Sequence, residues 1–148
     1  MTDVERVADA FHAAVFAGDV DSALTLASPD CVLLNIPTGI GARTQPELRR
    51  YLAEDVGAHL PAGLTFRRLS RTGNRWNVAD ETLVSFTHDR ELPWLLPGVP
   101  ASHRFAEVLA ISLITVQRSV ITRHHTLWDY SGLLAQLHLD VAGATASV

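Results

Sequence analysis

The chain has 148 residues, 47% apolar and 19% charged, with a net charge of −4. That balance sets aside a disordered protein, and the basic residues, all arginine and scattered, form no nucleic-acid-binding stripe. The lone cysteine, Cys31, excludes an internal disulfide and a cysteine-based zinc site, and no apolar run approaches membrane-spanning length.

Val4, Val7, Ala8, Phe11 and Val15 recur at helical spacing and predict a first helix, opened by a Thr2–Glu5 capping-box pair and stopped at Gly18. Residues 19–27 predict a short second helix ended by Pro29. Residues 31–36 predict a strand closed by the Pro37-Thr38-Gly39 turn. Thr44 caps a third helix with Pro46 in its first turn, an apolar face of Leu48, Tyr51, Leu52 and Val56, and Gly57 at its end.

From there the period changes to two. Residues 64–71 alternate, Gly73-Asn74 suits a hairpin turn, and residues 76–88 form a long strand with two distinct faces. A Pro-rich loop from Leu92 to Pro100 precedes the longest strand, 102–116. Gln117-Arg118-Ser119 turns it into a last strand from Val120 to about Asp129, and Ser131 caps a closing helix bearing Leu133, Leu134 and Leu137. Helices segregated from antiparallel strands make the class α+β. Strands this long bend, so the expectation is a curved antiparallel sheet wrapped by three N-terminal helices and a short C-terminal one, a cone with an apolar interior. One domain is expected over 1–140, with 141–148 as a flexible tail. Without a basic, then apolar, N-terminal segment, a cytoplasmic location is expected.

The Gly18-Asp19-Val20-Asp21-Ser22-Ala23 step and the ending Trp128-Asp129-Tyr130-Ser131-Gly132-Leu133-Leu134 resemble the SnoaL-like branch of the nuclear-transport-factor-2-like (NTF2-like) superfamily. The string from Leu83 to Glu91, His88-Asp89-Arg90-Glu91 included, and Pro93-Trp94-Leu95-Leu96-Pro97-Gly98 are similar to its ester-cyclase-like members. The resemblance implies a cone with a pocket and a homodimer through the sheet. It implies relatives among polyketide cyclases, ketosteroid isomerases, limonene-epoxide hydrolases, dehydratases and binding domains, in settings such as secondary metabolism. Cyclases and epoxide hydrolases of this type carry an acidic residue three positions before the residue matched to Asp129. Here that position is Thr126.

Several residues are candidates for chemistry. Glu107 shares strand parity with Phe105, Leu109 and Ile111; if that face lines the cone, burial makes its carboxyl a general base, and otherwise it pairs with Arg104 or Arg123. Glu81 is a second candidate base, and either it or its neighbour Asp80 is a surface charge. Histidine suits proton transfer near neutral pH, which draws attention to four in the strand region, His88, His103, His124 and His125. Adjacent His124 and His125 point to opposite sheet faces, and the resemblance favours His125. Asp129 either orients a histidine, or caps the last helix or binds an arginine. Trp94, Trp128, Tyr51, His124, Asn35 and Arg104 are expected to contact substrate, Trp94 as a lid, a core residue or a dimer contact. No His-x-His or His-x-x-x-His spacing supports a metal, and no phosphate-cradling loop supports a nucleotide, so no cofactor is expected. The expected function is acid–base catalysis on a small hydrophobic substrate, by cyclisation, isomerisation, dehydration or epoxide hydrolysis. The alternative is a non-catalytic ligand-binding or dimerising domain.

Overall fold

The computed structural model describes residues 1–139, so the expected tail at 141–148 lies outside the described residues. Helix α1 (Asp3–Phe16) opens as its sequence dictates: the Thr2 hydroxyl accepts the Glu5 N–H at 3.2 Å, and the Glu5 carboxylate accepts the Thr2 N–H at 2.9 Å. Its apolar stripe, Val4, Val7, Ala8, Phe11, Ala14 and Val15, is buried. Helix α2 (Val20–Thr25) is capped by Asp19. Pro29 does not end it. Strand β1 runs Ala27–Ile36, starting earlier than expected, and Pro29 lies where its pairing is irregular, a place for a residue without an N–H.

A two-residue strand, β2 (Gly41–Ala42), was not expected. It pairs antiparallel with β1, and Gly41 comes so close that an added Cβ would stand 1.9 Å from the Leu33 carbonyl oxygen. Helix α3 (Gln45–Arg50), capped by Thr44, widens into a π-helical segment over Tyr51–Gly57. Strands β3 (Ala62–Gly73), β4 (Asn77–Thr87), β5 (Phe105–Gln117) and β6 (Val120–Trp128) form the meander. Arg118 and Ser119, at φ 53° and 63°, make the β5–β6 turn, with the positive φ pair that suits strand twist. Helix α4 (Tyr130–Gln136) is capped by Asp129 rather than Ser131, its carboxylate accepting the Gly132 N–H at 3.1 Å.

The six strands form one open curved sheet in the order β2-β1-β6-β5-β4-β3, antiparallel except where β1 lies parallel to β6. Helix α1 packs across β4, β5 and β6 on the concave side. That side buries Val78, Val84 and Phe86 of β4 and Ala106, Val108, Ala110, Ile114 and Val116 of β5. The convex side leaves Phe105, Ile111, Leu113 and Leu127 exposed, at 65%, 40%, 42% and 42%. Among the described residues, no helix is long and apolar enough to cross a membrane.

Candidate functional site

Between α1, the π-helical segment and the concave face lies a cavity of about 290 Å³. Its floor follows from strand register. Asn35 of β1 stands opposite Thr126 of β6, Thr126 opposite Ser112 of β5, Ser112 opposite Asp80 of β4, and Asp80 opposite Arg71 of β3. All five line the cavity, so one polar row crosses five strands. Arg71 joins it because β3 carries a bulge. The pairing shifts between Arg68 and Ser70, which leaves Leu69 as the extra residue and turns Arg71 inward three positions after inward-facing Arg68.

At one end of the row Arg71 holds two carboxylates. Its Nε and Nη2 donate to Asp80 at 2.6 and 2.8 Å, and its Nη2 and Nη1 donate to Asp9 of α1 at 2.6 and 3.2 Å. Four of the guanidinium's five N–H groups are thereby engaged, a planar fork matched to two carboxylates. The hydrogen bonds from Arg71 hold the Asp9 carboxyl below its usual range, and those to Asp80 and Asp9 raise the Arg71 guanidinium. Asp9 and Arg71 are charged at neutral pH. Arg68, more exposed, touches Asp9 at 3.5 Å.

At the other end the Trp128 indole N–H donates to Asn35 Oδ1 at 3.2 Å. Asn35 Nδ2 donates to the Tyr51 phenol oxygen at 2.7 Å and to the Trp94 carbonyl at 3.2 Å. The amide orientation is fixed twice, because an indole only donates and a backbone carbonyl only accepts. Tyr51 therefore receives a hydrogen bond on oxygen, and its own O–H has no acceptor among the described residues. Burial raises the Tyr51 pKa, and the Asn35 hydrogen bond works against that rise. The phenol is a neutral donor, strengthened by the chain behind it.

Two imidazoles complete the cavity. His124, on β6 two residues before Thr126, packs against Phe11 with ring centres 5.7 Å apart, and its Nδ1 is buried with no partner among the described residues. Burial pushes its pKa down to about 4, with Asp80 pulling the other way. His12, on α1, stands at the mouth between Phe16 and Phe66, at 4.7 and 4.5 Å. Burial lowers its pKa too, opposed by Asp9 and Asp80. No group of three metal-ligating side chains comes together among the described residues.

The residues expected from sequence divide sharply. Asn35, Tyr51, Trp94, His124 and Trp128 line the cavity. Trp94 is not a mobile lid: it is 3% exposed, and its indole N–H donates to the His59 carbonyl at 3.0 Å. Glu107 points the other way, exposed on the convex face, where its carboxylate accepts from Ser85 at 3.0 Å. Glu81 is also convex and accepts from Ser70 at 3.1 Å, so Asp80 is the inward member of that pair. His125 shares the convex parity of Leu127, because adjacent strand residues alternate. His88 is fully buried outside the cavity, its Nδ1 bonded to Ser102 at 2.8 Å, and burial lowers its pKa. Arg104 is exposed ahead of β5, and Asp129 is engaged as the α4 cap. Sequence reasoning missed Asp9, His12, Arg71 and Ser112. A signal existed for the first two. Asp9, His12 and Phe16 run beside the apolar stripe of α1 at helical spacing.

No family model and no curated protein matches the chain in sequence. In structure it is similar to a protein assigned as a SnoaL-like polyketide cyclase from Shewanella putrefaciens CN-32, with a TM-score of 0.73 and 16% identity over 93% of this chain and 98% of that one. It is similar to an LEH-like epoxide hydrolase of M. tuberculosis, with a TM-score of 0.67 and 14% identity over 99% and 97% of the two chains. It is also similar to the Δ5-3-ketosteroid isomerase of Mycobacterium sp., with a TM-score of 0.66 and 18% identity over 89% and 97%. The chain therefore has the NTF2-like α+β fold, in agreement with the sequence resemblance. At these identities the likeness carries fold, not activity.

Proposed function

We propose that this chain is a cofactor-independent enzyme that moves protons on a small, largely apolar carbonyl or epoxide compound, giving isomerisation, ring closure, loss of water or ring opening. One observation carries the reading. The Trp128–Asn35–Tyr51 chain leaves a single unengaged phenol O–H in the same cavity as the neutral, unpartnered imidazole of His124. An acid and a base share one cavity.

In this reading Tyr51 donates to the substrate oxygen as negative charge builds there, and His124 removes a proton from the neighbouring carbon. Its depressed pKa keeps the imidazole neutral at rest, the form a base requires. As the proton arrives, Asp80 and the forming oxyanion favour the imidazolium and offset the cost of burial. The Arg71-held carboxylates supply that field without themselves taking the proton. Tyr51 is only 3% exposed, so a hydrogen bond from it to a developing oxyanion is worth more than in solution.

Deuterium exchange tests the idea without knowledge of the natural substrate. Cyclic β,γ-unsaturated ketones and 1,3-diketones incubated in D₂O should gain deuterium faster with the protein than without it. His124→Gln should lower that rate by about 10²–10⁴-fold and Tyr51→Phe by about 10²–10³-fold, with folding intact. Exchange that is absent for every ketone, or equal in His124→Gln, removes the acid–base reading. The proposal includes a homodimer, supported by the uncovered convex face with Phe105, Ile111, Leu113 and Leu127.

A further inference from the structure

The lining of the cavity differs from place to place in its access to water. Phe11, Tyr51, Leu52, Val84 and Trp94 are buried. Among the lining residues only two are exposed, Arg68 and His12, whose ring is clasped between Phe16 and Phe66, and these mark the mouth. The two arginines of the cavity are also used differently. Arg71, its side chain 13% exposed, gives four of its five N–H groups to Asp80 and Asp9. Arg68 makes a single contact, from Nη1 to Asp9 at 3.5 Å, the outer limit of a hydrogen bond, and its side chain stays 47% exposed. Asp9 has little more to offer, having already taken two N–H groups of Arg71 at 2.6 and 3.2 Å. The other donors of Arg68 have no protein partner among the described residues. One guanidinium is committed inside the protein, and the other is open at the entrance.

We infer that Arg68 is a specificity-determining residue that reads a carboxylate: the cavity takes the apolar body of the ligand, and the acid group stays at the mouth on the Arg68 guanidinium. The placement follows from cost. A carboxylate carried deeper would lose its water and meet Asp80 and Asp9, both already matched to Arg71. At the mouth it keeps water on one side and meets a planar fork of donors that fits its two oxygens. The charges of Arg68, Arg71, Asp9 and Asp80 balance, so the recognition is local to the Arg68 donors and not the pull of a net positive cavity. With one open guanidinium and Asp9 close behind it, a singly charged acid is matched and a doubly charged phosphate is not. The inference narrows the substrate class to carboxylic acids of apolar compounds. It rests on reading this cavity as the substrate site, but not on the proton chemistry proposed for it.

Calorimetry with 2-naphthoate and 2-naphthamide tests the assignment, because the two probes have nearly the same shape and differ in charge. The aromatic lining, with Phe11, Phe16, Phe66, Trp94 and Trp128, suits their shared naphthalene body. At neutral pH, wild type should bind the acid about three- to tenfold more tightly than the amide, as suits a charge-assisted contact that is half in water. Arg68→Gln keeps an amide donor and loses the charge. It should bring the two probes to equal affinity and leave amide binding and the circular dichroism spectrum unchanged. 2-Naphthyl phosphate should bind wild type no more tightly than the naphthoate. His124→Gln should keep the preference for the acid, which separates this inference from the catalytic reading. Equal binding of acid and amide by wild type, a preference that survives Arg68→Gln, tighter binding of the phosphate, or no binding of any probe would each overturn it. Absence of ketone exchange with the acid preference intact would overturn only the proposed function.

Discussion

The two faces of the sheet are built by the same strands and treated in opposite ways. On β5 the concave set, Ala106, Val108, Ala110, Ser112 and Ile114, contains mostly small side chains, while the convex set, Phe105, Glu107, Leu109, Ile111 and Leu113, contains the bulk. Hydrophobic size would place the second set inside. It lies outside because the concave face is filled from above, by Phe11 of α1, Leu52 of the π-helical segment and Trp94 of the loop. Small residues in the floor leave room for a ligand once those groups are seated. The lesson is that the enclosed face of a strand is set by what covers it, not by which parity is oilier.

Paired substitutions across that divide should give unequal results. Phe86→Ala, on the concave face at 0% exposure, should cost about 3–5 kcal/mol in urea unfolding through lost burial and an unfilled hole. Phe105→Ala, on the convex face at 65% exposure, should change the stability of the monomer by no more than about 0.5 kcal/mol, measured at concentrations too low for dimerisation. Equal costs would mean the two faces are not distinguished as described.

The concave face should also be the acid-sensitive one. His124 has a folded pKa of about 4 against an ordinary value of 6.5, so the unfolded chain binds a proton between those values while the folded chain does not. Stability is therefore full above pH 6.5, falls as pH drops toward 4, and levels off below. The His124 share is on the order of 3 kcal/mol at full extent. His12 and His88, also lowered by burial, add to the same slope. Unfolding curves in urea across this range should be visibly flatter for His124→Gln, and an unchanged slope would contradict the burial of that imidazole. The smallest effect on folding belongs to the convex face. Leu113→Asp should change monomer stability by no more than about 0.5 kcal/mol, yet shift sedimentation from dimer to monomer. A wild-type monomer at micromolar concentration would remove the proposed dimer.

Most of the fold was legible in the sequence, because periodicity and caps are local. Thr2 with Glu5, Asp19, Thr44 and the apolar stripe of α1 each act over a few residues. The site was half legible. Tyr51, Asn35, Trp94, Trp128 and His124 carry visible polar or aromatic signals in apolar surroundings. Glu107, Glu81 and His125 misled for one shared reason: alternation defines two sets per strand but not which set is roofed. Arg71 was hidden by the bulge at Leu69, which no alternating pattern reveals, and the row from Asn35 to Arg71 exists only through register. The π-helical turn that presents Tyr51, Leu52 and Val56 together likewise depends on tertiary packing rather than on helix-forming tendency.

The parallel seam between β1 and β6 has a consequence for biosynthesis. It joins early and late elements of the fold: Trp128 reaches Asn35 across 93 positions, and outside the seam the β5–β6 turn reaches α1 through Ser119 and Asp3, 116 positions apart. Until β6 leaves the ribosome, the growing polypeptide has a roof and part of a floor but no complete cavity, and its oily surfaces stay uncovered. Such long-range closure is slow relative to helix formation, because chain entropy is lost before the distant contacts form. The cavity is thus completed only once β6 has been made, and a product terminated before β6 lacks that part of its floor.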